Sequence, residues 1–400
     1  MKYLILRKRR HAIEDPFTEM VGAGDYETRL PFDASTADLK DREAADVRKD
    51  PNVEDMIPAI PYSLIEPFEA DNPVPPAQWG LAAVGAVECP YDGSGVVVAV
   101  LDTGIDKDHP AFSGVTLDLM DFTGDQEEGL AGAAPDTHGD GHGTHVAGII
   151  FGRDVDGTRI GVARGVTKAL IGKVIGVQRD TERLYNAIEW ALKKKADVIC
   201  MSLGFDFPKL IQQRVEEGYP LAIAAARALA EYRSNIRLFD RLAGLVDARV
   251  ARGRGALLVA AAGNESKREV NPAYTVAASP PASADGFLAV GSVRRTDASA
   301  APLAVSNFSN TGCHVAAPGD GIQSARLGTS GLIAKSGTSM AAPHVAGLVA
   351  LWTQRLHAGE RPARWAEMVR DRLKGLAALP PGLAFNDVGL GIPKAPRKPE

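Results

Sequence analysis

The chain has 400 residues, 45% of them hydrophobic, with 41 glycines and 26 prolines, enough for one large globular domain and a smaller attachment. Its formal net charge of -5 is spread without long acidic or basic blocks, which gives no ground for nucleic acid as a main partner. No stretch approaches the ~18–20 apolar residues of a membrane span, and three scattered cysteines (Cys89, Cys200, Cys313) make no disulfide framework and suit a reducing cytoplasm.

At the N-terminus, Tyr3–Leu6 is the only apolar run before four basic residues, too short for the core of a secretory signal. Lys2–Leu6 and Asn52–Ile57 read as short strands, and Thr36–Arg48 as a polar helix capped by Ser35 or Thr36. Residues 1–70 are therefore expected to form a small β–α–β module. Pro58–Pro76 carries six prolines and reads as an extended segment with a linker at 71–77.

From Gln78 the pattern changes. Gly95–Leu101, Ala169–Ile175, Asp197–Leu203, Ala256–Ala262 and Gly286–Val293 are apolar runs alternating with helical stretches such as Thr181–Lys195. Runs of that kind are strands buried on both faces of a parallel sheet. The expected fold is α/β: three layers around a mostly parallel central sheet over residues 78–393, with the N-terminal α+β module attached. Residues 205–255 read as a helical insertion. From Pro220, the residues Ala225, Leu229, Tyr232, Ile236, Phe239, Ala243, Val246 and Val250 make one apolar stripe on a helix of about eight turns. That stripe either packs on its own domain or offers 220–250 to a protein partner. Ile392–Glu400 holds three prolines and three basic residues, so 394–400 reads as a disordered tail.

Three short segments carry chemistry: VLDTGID at Val100–Asp106, HGTHVAG at His142–Gly148 and GTSMAAPHVAG at Gly337–Gly347. They supply a carboxylate, an imidazole and a hydroxyl. A serine hydroxyl is a poor nucleophile until an imidazole takes its proton, and a carboxylate fixes the tautomer of that imidazole. Asp102, His142 and Ser339 are the trio framed by glycines and small residues. Ser339 opens a helix of small side chains, in which Pro343 should place a kink. Asp102 and Asn264 (in AAAGNE, Ala260–Glu265) follow strands, where open α/β sheets place their sites. The cluster His138, Asp140, His142 and His145 also has the donor types of a zinc site. His109, His314 and His344 have no assigned chemistry.

These motifs, in this order, resemble the subtilisin-like serine peptidases over roughly Gln78–Pro393. The resemblance implies a triad of Asp102, His142 and Ser339, with Asn264 and the Ser339 backbone N–H as the oxyanion hole. It uses His142 as base and leaves His145 structural, so no catalytic metal is expected and no cofactor is required. Ser202, Leu203 and Gly204 match the edge that pairs with an extended protein or peptide substrate. Ala261, Ala262 and Gly263 match the pocket before the scissile bond, and their small size implies cleavage after large apolar residues. Residues 1–70 match an inhibitory propeptide, with self-cleavage expected within Glu66–Gln78, or else a permanently attached gate. Many members hold a structural calcium. Here the acidic position nine beyond Asp102 is Ala111, and the centre of the Phe151–Ile160 loop is Val155, which argues against one, although Asp154 and Asp156 offer oxygens. Gly176–Thr181 (GVQRDT) is bulkier than the usual cleft edge.

Overall fold

The computed structural model describes residues 1–9, 30–69, 79–124, 129–176, 181–250, 255–296, 303–357 and 362–397. In the N-terminal module, β1 (Lys2–Lys8) lies between β2 (Phe32–Asp38) and β3 (Val53–Pro58), both antiparallel to it. The helix expected from Thr36 begins later: α1 is Asp41–Val47, capped at Lys40. Residues 36–38 pair with β1 instead, and Ser35 accepts a hydrogen bond from Arg7 (2.9 Å) rather than capping a helix. Cross-strand pairing has overridden helix propensity. Two very short strands follow in the proline-rich segment, β4 (Ser63–Leu64) and β5 (Phe68–Glu69); the 71–77 linker lies outside the described residues.

The large unit starts at α2 (Trp79–Ala83) and continues through β6 (Val97–Asp102), β7 (Thr116–Asp121), β8 (Leu130–Ala131), α3 (His142–Phe151), β9 (Lys168–Lys173) and α4 (Thr181–Lys193). Next come β10 (Val198–Met201), β11 (Leu203–Gly204), α5 (Phe207–Glu216), α6 (Leu221–Val250), β12 (Leu257–Ala261), β13 (Phe287–Arg295) and β14 (Leu303–Val305). The chain then forms β15 (Val315–Pro318), β16 (Ile322–Ala325), β17 (Leu332–Ser336), α7 (Thr338–Leu356), α8 (Trp365–Gly375) and α9 (Phe385–Val388). Strand order in the central sheet is β14-β13-β12-β10-β6-β9-β7-β8, with β15 also on β13. All neighbours are parallel except β14 and β8 at the edges.

Alternate side chains of each strand feed opposite layers, as a period of two requires. Val98, Val100, Cys200, Val259 and Ala261 pack with α3 and α7 on one face; Ala99, Leu101, Ile199, Met201, Leu258 and Ala260 pack with α4 and α6 on the other. Every residue of α3 is buried, so its sequence shows no polar face.

The stripe expected along α6 holds only in its second half. Phe239, Ala243, Val246 and Val250 are buried, but Leu229 is 48% exposed, and Ala224, Ala228, Glu231 and Asn235 take the inner face before Leu238. The seam there is polar, so hydrophobic periodicity cannot see it. Glu231 accepts from Arg214 (2.7 Å), and Asn235 donates to Pro58 O (3.0 Å). Arg241 pairs with Glu54 (2.5 Å), so the helix carries this chain's own N-terminal module. A second anchor is on α4, where Arg9 forks onto Glu189 (2.7 and 3.0 Å) and Leu30 N donates to the same carboxylate (2.8 Å). Part of the expected disordered tail is also held down: Trp352 donates to Lys394 O (2.9 Å) and Ala395 N to Val84 O (2.8 Å). Residues 398–400 and 177–180, the latter in the GVQRDT edge, lie outside the described residues.

Candidate active site

Three neighbouring parallel strands, β12, β10 and β6, end at one edge of the sheet. Asp102 is the last residue of β6, Ser202 follows β10, and Asn264 follows β12. Helices α3 and α7 start with two of the expected site residues: His142 is first in α3 and Ser339 second in α7. Gly141 precedes α3 with φ +66°, a backbone conformation that favours glycine.

His142 Nδ1 is 2.7 Å from Asp102 Oδ1, with both side chains 0–1% exposed. Burial opposes protonation of this imidazole. The Asp102 charge, its hydrogen bond and the Asp140 charge outweigh that, so the pKa is raised, with the Lys335 ammonium pulling the other way. A polar network fixes the pair, built from Thr103 and Thr144 inside the motifs and Asp136 outside them. Thr103 N donates to Asp102 Oδ1 (2.7 Å), and Thr103 Oγ1 accepts from Gly143 N (2.8 Å) while donating to Asp136 Oδ1 (2.9 Å). Asp136 Oδ2 in turn accepts Thr144 N (2.9 Å) and Thr144 Oγ1 (2.6 Å). Buried acids in this position are detectable only once the chain is folded.

Asn264 is oriented from below. Its Oδ1 accepts Thr338 N and Thr338 Oγ1, both at 2.9 Å, which leaves Nδ2 pointing outward as a donor. That donor is engaged by Glu66 O at 2.9 Å. Ser339 Oγ donates to Ile65 O at 3.0 Å, and His142 Nε2 has no hydrogen-bond partner. The hydroxyl is thus turned toward the N-terminal segment rather than the imidazole.

That segment runs through the cleft as an added strand. Leu64 pairs with Leu203 and Ser63 with Gly204, antiparallel; further on, Phe68 pairs with Ser336 and Glu69 with Lys335. Tyr62 is fully buried, donating to Val174 O (2.9 Å) and meeting the Phe205 ring edge-on at 6.3 Å. Ile65 is 4% exposed. A β-carbon on Gly204 would just touch Ile65 Cδ1 at 3.4 Å and would crowd Ser279 Oγ at 2.6 Å. Ser202 Oγ donates to Ser339 O (3.2 Å), bracing the start of α7. Of the expected pocket residues, Ala261 shares the hydrophobic cluster of Ile65, whereas Ala262 packs with the opposite cluster and Gly263 N donates to Thr338 Oγ1 (3.1 Å). Past Asn264 a cavity of about 530 Å³ opens, lined by Phe68, Phe308 and Ser336, with the two phenyl centroids 5.2 Å apart.

The histidine cluster does not converge as a metal site would. His138 Nδ1 is bonded to Asp140 (2.5 Å), Asp140 to Lys335 (2.8 Å), His145 Nε2 to Ile333 O (3.0 Å), and His142 to Asp102. Burial and the nearby Lys335 drive the His145 pKa down to about 3, as for a neutral core histidine.

A model of the subtilase family matches residues 93–391. The chain belongs to the subtilase family. It is 33% identical over 302 residues to the major intracellular serine protease of Bacillus subtilis strain 168, covering 73% of this chain and 79% of that one. With subtilisin E of the same organism it shares 31% identity over 353 residues, covering 86% and 75%. Among solved structures, fervidolysin from Fervidobacterium pennivorans, a keratinolytic enzyme related to subtilisin, superposes with a TM-score of 0.66 at 21% identity. That match covers 98% of this chain and 60% of the fervidolysin chain. This subtilase is a serine-type endopeptidase. Among its described residues no helix is long and apolar enough to cross a membrane.

Proposed function

We propose that this subtilase cuts extended protein segments after large apolar residues, with Asp102, His142 and Ser339 as triad and Asn264 with Ser339 N–H as oxyanion hole. The observation that carries the reading is the antiparallel pairing of Ser63–Leu64 with Leu203–Gly204, which brings the Ile65 carbonyl to Ser339 Oγ. A substrate bound by the same strand addition would present its scissile carbonyl there. Ser339 Oγ then attacks the carbonyl carbon as His142 Nε2 takes its proton, and the new oxyanion accepts from Asn264 Nδ2 and Ser339 N–H. The imidazolium, steadied by Asp102, returns the proton to the leaving amine. Water repeats the sequence on the acyl-enzyme.

Residues 1–69 hold this centre latent in our reading. Ser63–Ile65 follow the register of a substrate, but Asn264 is taken by the carbonyl of Glu66, one residue beyond the one on Ser339. The nucleophile is off its base and the oxyanion donor is occupied. The bond set against Ser339 follows Ile65, just ahead of the Glu66–Gln78 stretch expected for self-cleavage. Intact masses of purified wild type and Ser339→Ala decide between a removable propeptide and a permanent gate. A full-length wild type that cleaves peptides means a gate; a wild type shortened where Ser339→Ala is not means self-removal. The unpaired thiols of Cys89, Cys200 and Cys313 support a reducing compartment for the enzyme.

A further inference from the structure

The family resemblance implies a calcium on the loop after α3, and the residues there do not fit one. A calcium loop wraps carbonyl and carboxylate oxygens around an open centre. Here the tip closes on itself: Val155 N donates to Thr158 O (3.0 Å) and Thr158 N to Val155 O (2.8 Å), around Asp156 and Gly157 at φ +48° and +76°. That is a two-residue hairpin turn whose flanking carbonyls, on Val155 and Thr158, are already used. The Val155 side chain is 3% exposed and belongs to the main hydrophobic cluster, so an apolar plug fills the place where a ligand would stand. Ala111, at the acidic position, offers only its carbonyl, which accepts Arg153 N at 2.7 Å. Asp154 is spent on Arg164 (3.2 Å).

Two arginines hold the base of the loop. The Arg153 guanidinium donates to the carbonyls of Phe151 (3.2 Å), Arg164 and Val166 (2.9 Å). Arg159 donates to Gly161 O and Val162 O, both at 3.2 Å, and reaches Val87 O at 3.5 Å. Six main-chain oxygens from three stretches of chain (Val87, Phe151 and residues 161–166) thereby face positive charge that the protein itself supplies. A guanidinium suits this task, since its planar fork serves several acceptors at once and stays charged at any pH the fold survives.

We infer that Arg153 and Arg159 close this loop as built-in cations, so that the fold needs no divalent metal there. The test uses the full chain in a Ser339→Ala background, which prevents self-digestion during unfolding. Its thermal midpoint should differ by less than about 1 °C between calcium and chelator, because a ligand that does not bind the native state cannot stabilise it. Arg153→Ala and Arg159→Ala should each lower the midpoint by about 3–6 °C, with no recovery on adding calcium. Should Arg153→Ala not fold, Arg159→Lys carries the same test: it keeps the charge, loses the fork, and should fall between parent and Arg159→Ala. A chelator-induced drop in the parent, saturable calcium uptake by titration calorimetry at this loop (abolished by Val155→Phe), or an Arg159→Ala midpoint equal to the parent's would each overturn the inference. The readout is unfolding, so the result is independent of how the active site is read.

Discussion

Replacing Ile65 by alanine should open the cleft. The isoleucine is almost fully buried and its Cδ1 lies against Gly204, so the substitution removes three buried carbon groups at about 0.8 kcal/mol each, roughly 2.4 kcal/mol in all. If the segment is held mainly by contacts that exist only when it is seated, its open population rises by a factor of about 50. The assay is best done in the Ser339→Ala background, where no processing can confuse the outcome. A labelled extended peptide with an apolar residue at the cleavage position competes with the segment, so its apparent Kd is the intrinsic Kd divided by the open fraction. Fluorescence anisotropy should therefore show binding tightened about 50-fold by Ile65→Ala. Unchanged affinity would mean that Ile65 does not hold the segment in the cleft, and the account of latency would fail.

Asp102→Asn should leave the fold intact and lower kcat by about 10⁴, because the imidazole loses its enforced tautomer; steady-state kinetics on the activated enzyme checks it. Asn264→Ala should lower kcat by about 10²–10³ with a small change in KM, the signature of a donor used only in the transition state. The pH dependence should respond to Lys335, whose ammonium holds the His142 pKa below where Asp102 and Asp140 would otherwise set it. Catalysis needs the neutral imidazole, so activity falls as pH drops through that pKa. Lys335→Met removes the opposing cation, and the acidic limb of the kcat/KM profile should move to higher pH. A shift to lower pH would contradict the assigned electrostatics.

The sheet, its parallel order and the strand ends that carry Asp102 and Asn264 were legible because doubly buried strands leave unbroken apolar runs such as Val97–Leu101. Motif residues were legible for a related reason: tight turns and deep burial demand glycine and small side chains around them, and those leave a dense local signature. What escaped notice is non-local. Thr103, Thr144 and Thr338 lie inside the motifs, but their bonds to Gly143, Asp136 and Asn264 follow no spacing rule, and Asp136 lies outside every motif. Strand β2 was hidden because Ser35 and Thr36 read as a helix cap and its polar residues show no apolar alternation; it forms only beside β1. The first half of α6 was hidden because Glu231 and Asn235 are buried among partners from α5 and the N-terminal module.

On the proposed reading, the segment in the cleft seats itself as a substrate would and still leaves the centre latent. Antiparallel pairing with Leu203–Gly204 and burial of Tyr62 and Ile65 supply affinity, and neither depends on where the carbonyl points. Cleavage does depend on it. With Glu66 O on Asn264, the Ile65 carbonyl accepts from Ser339 Oγ and so draws the hydroxyl hydrogen away from the base that should receive it. Pro67 follows directly, and its fixed φ limits how the chain beyond Glu66 can swing to bring the Ile65 oxygen onto the amide. Binding energy and catalytic alignment are therefore separable here. Pro67→Ala should change them unequally: peptide competition in the Ser339→Ala background should stay within about twofold of the parent, while a catalytically intact Pro67→Ala chain should show faster cleavage after Ile65 by intact mass. Equal rates with and without the proline would place the block elsewhere in the segment.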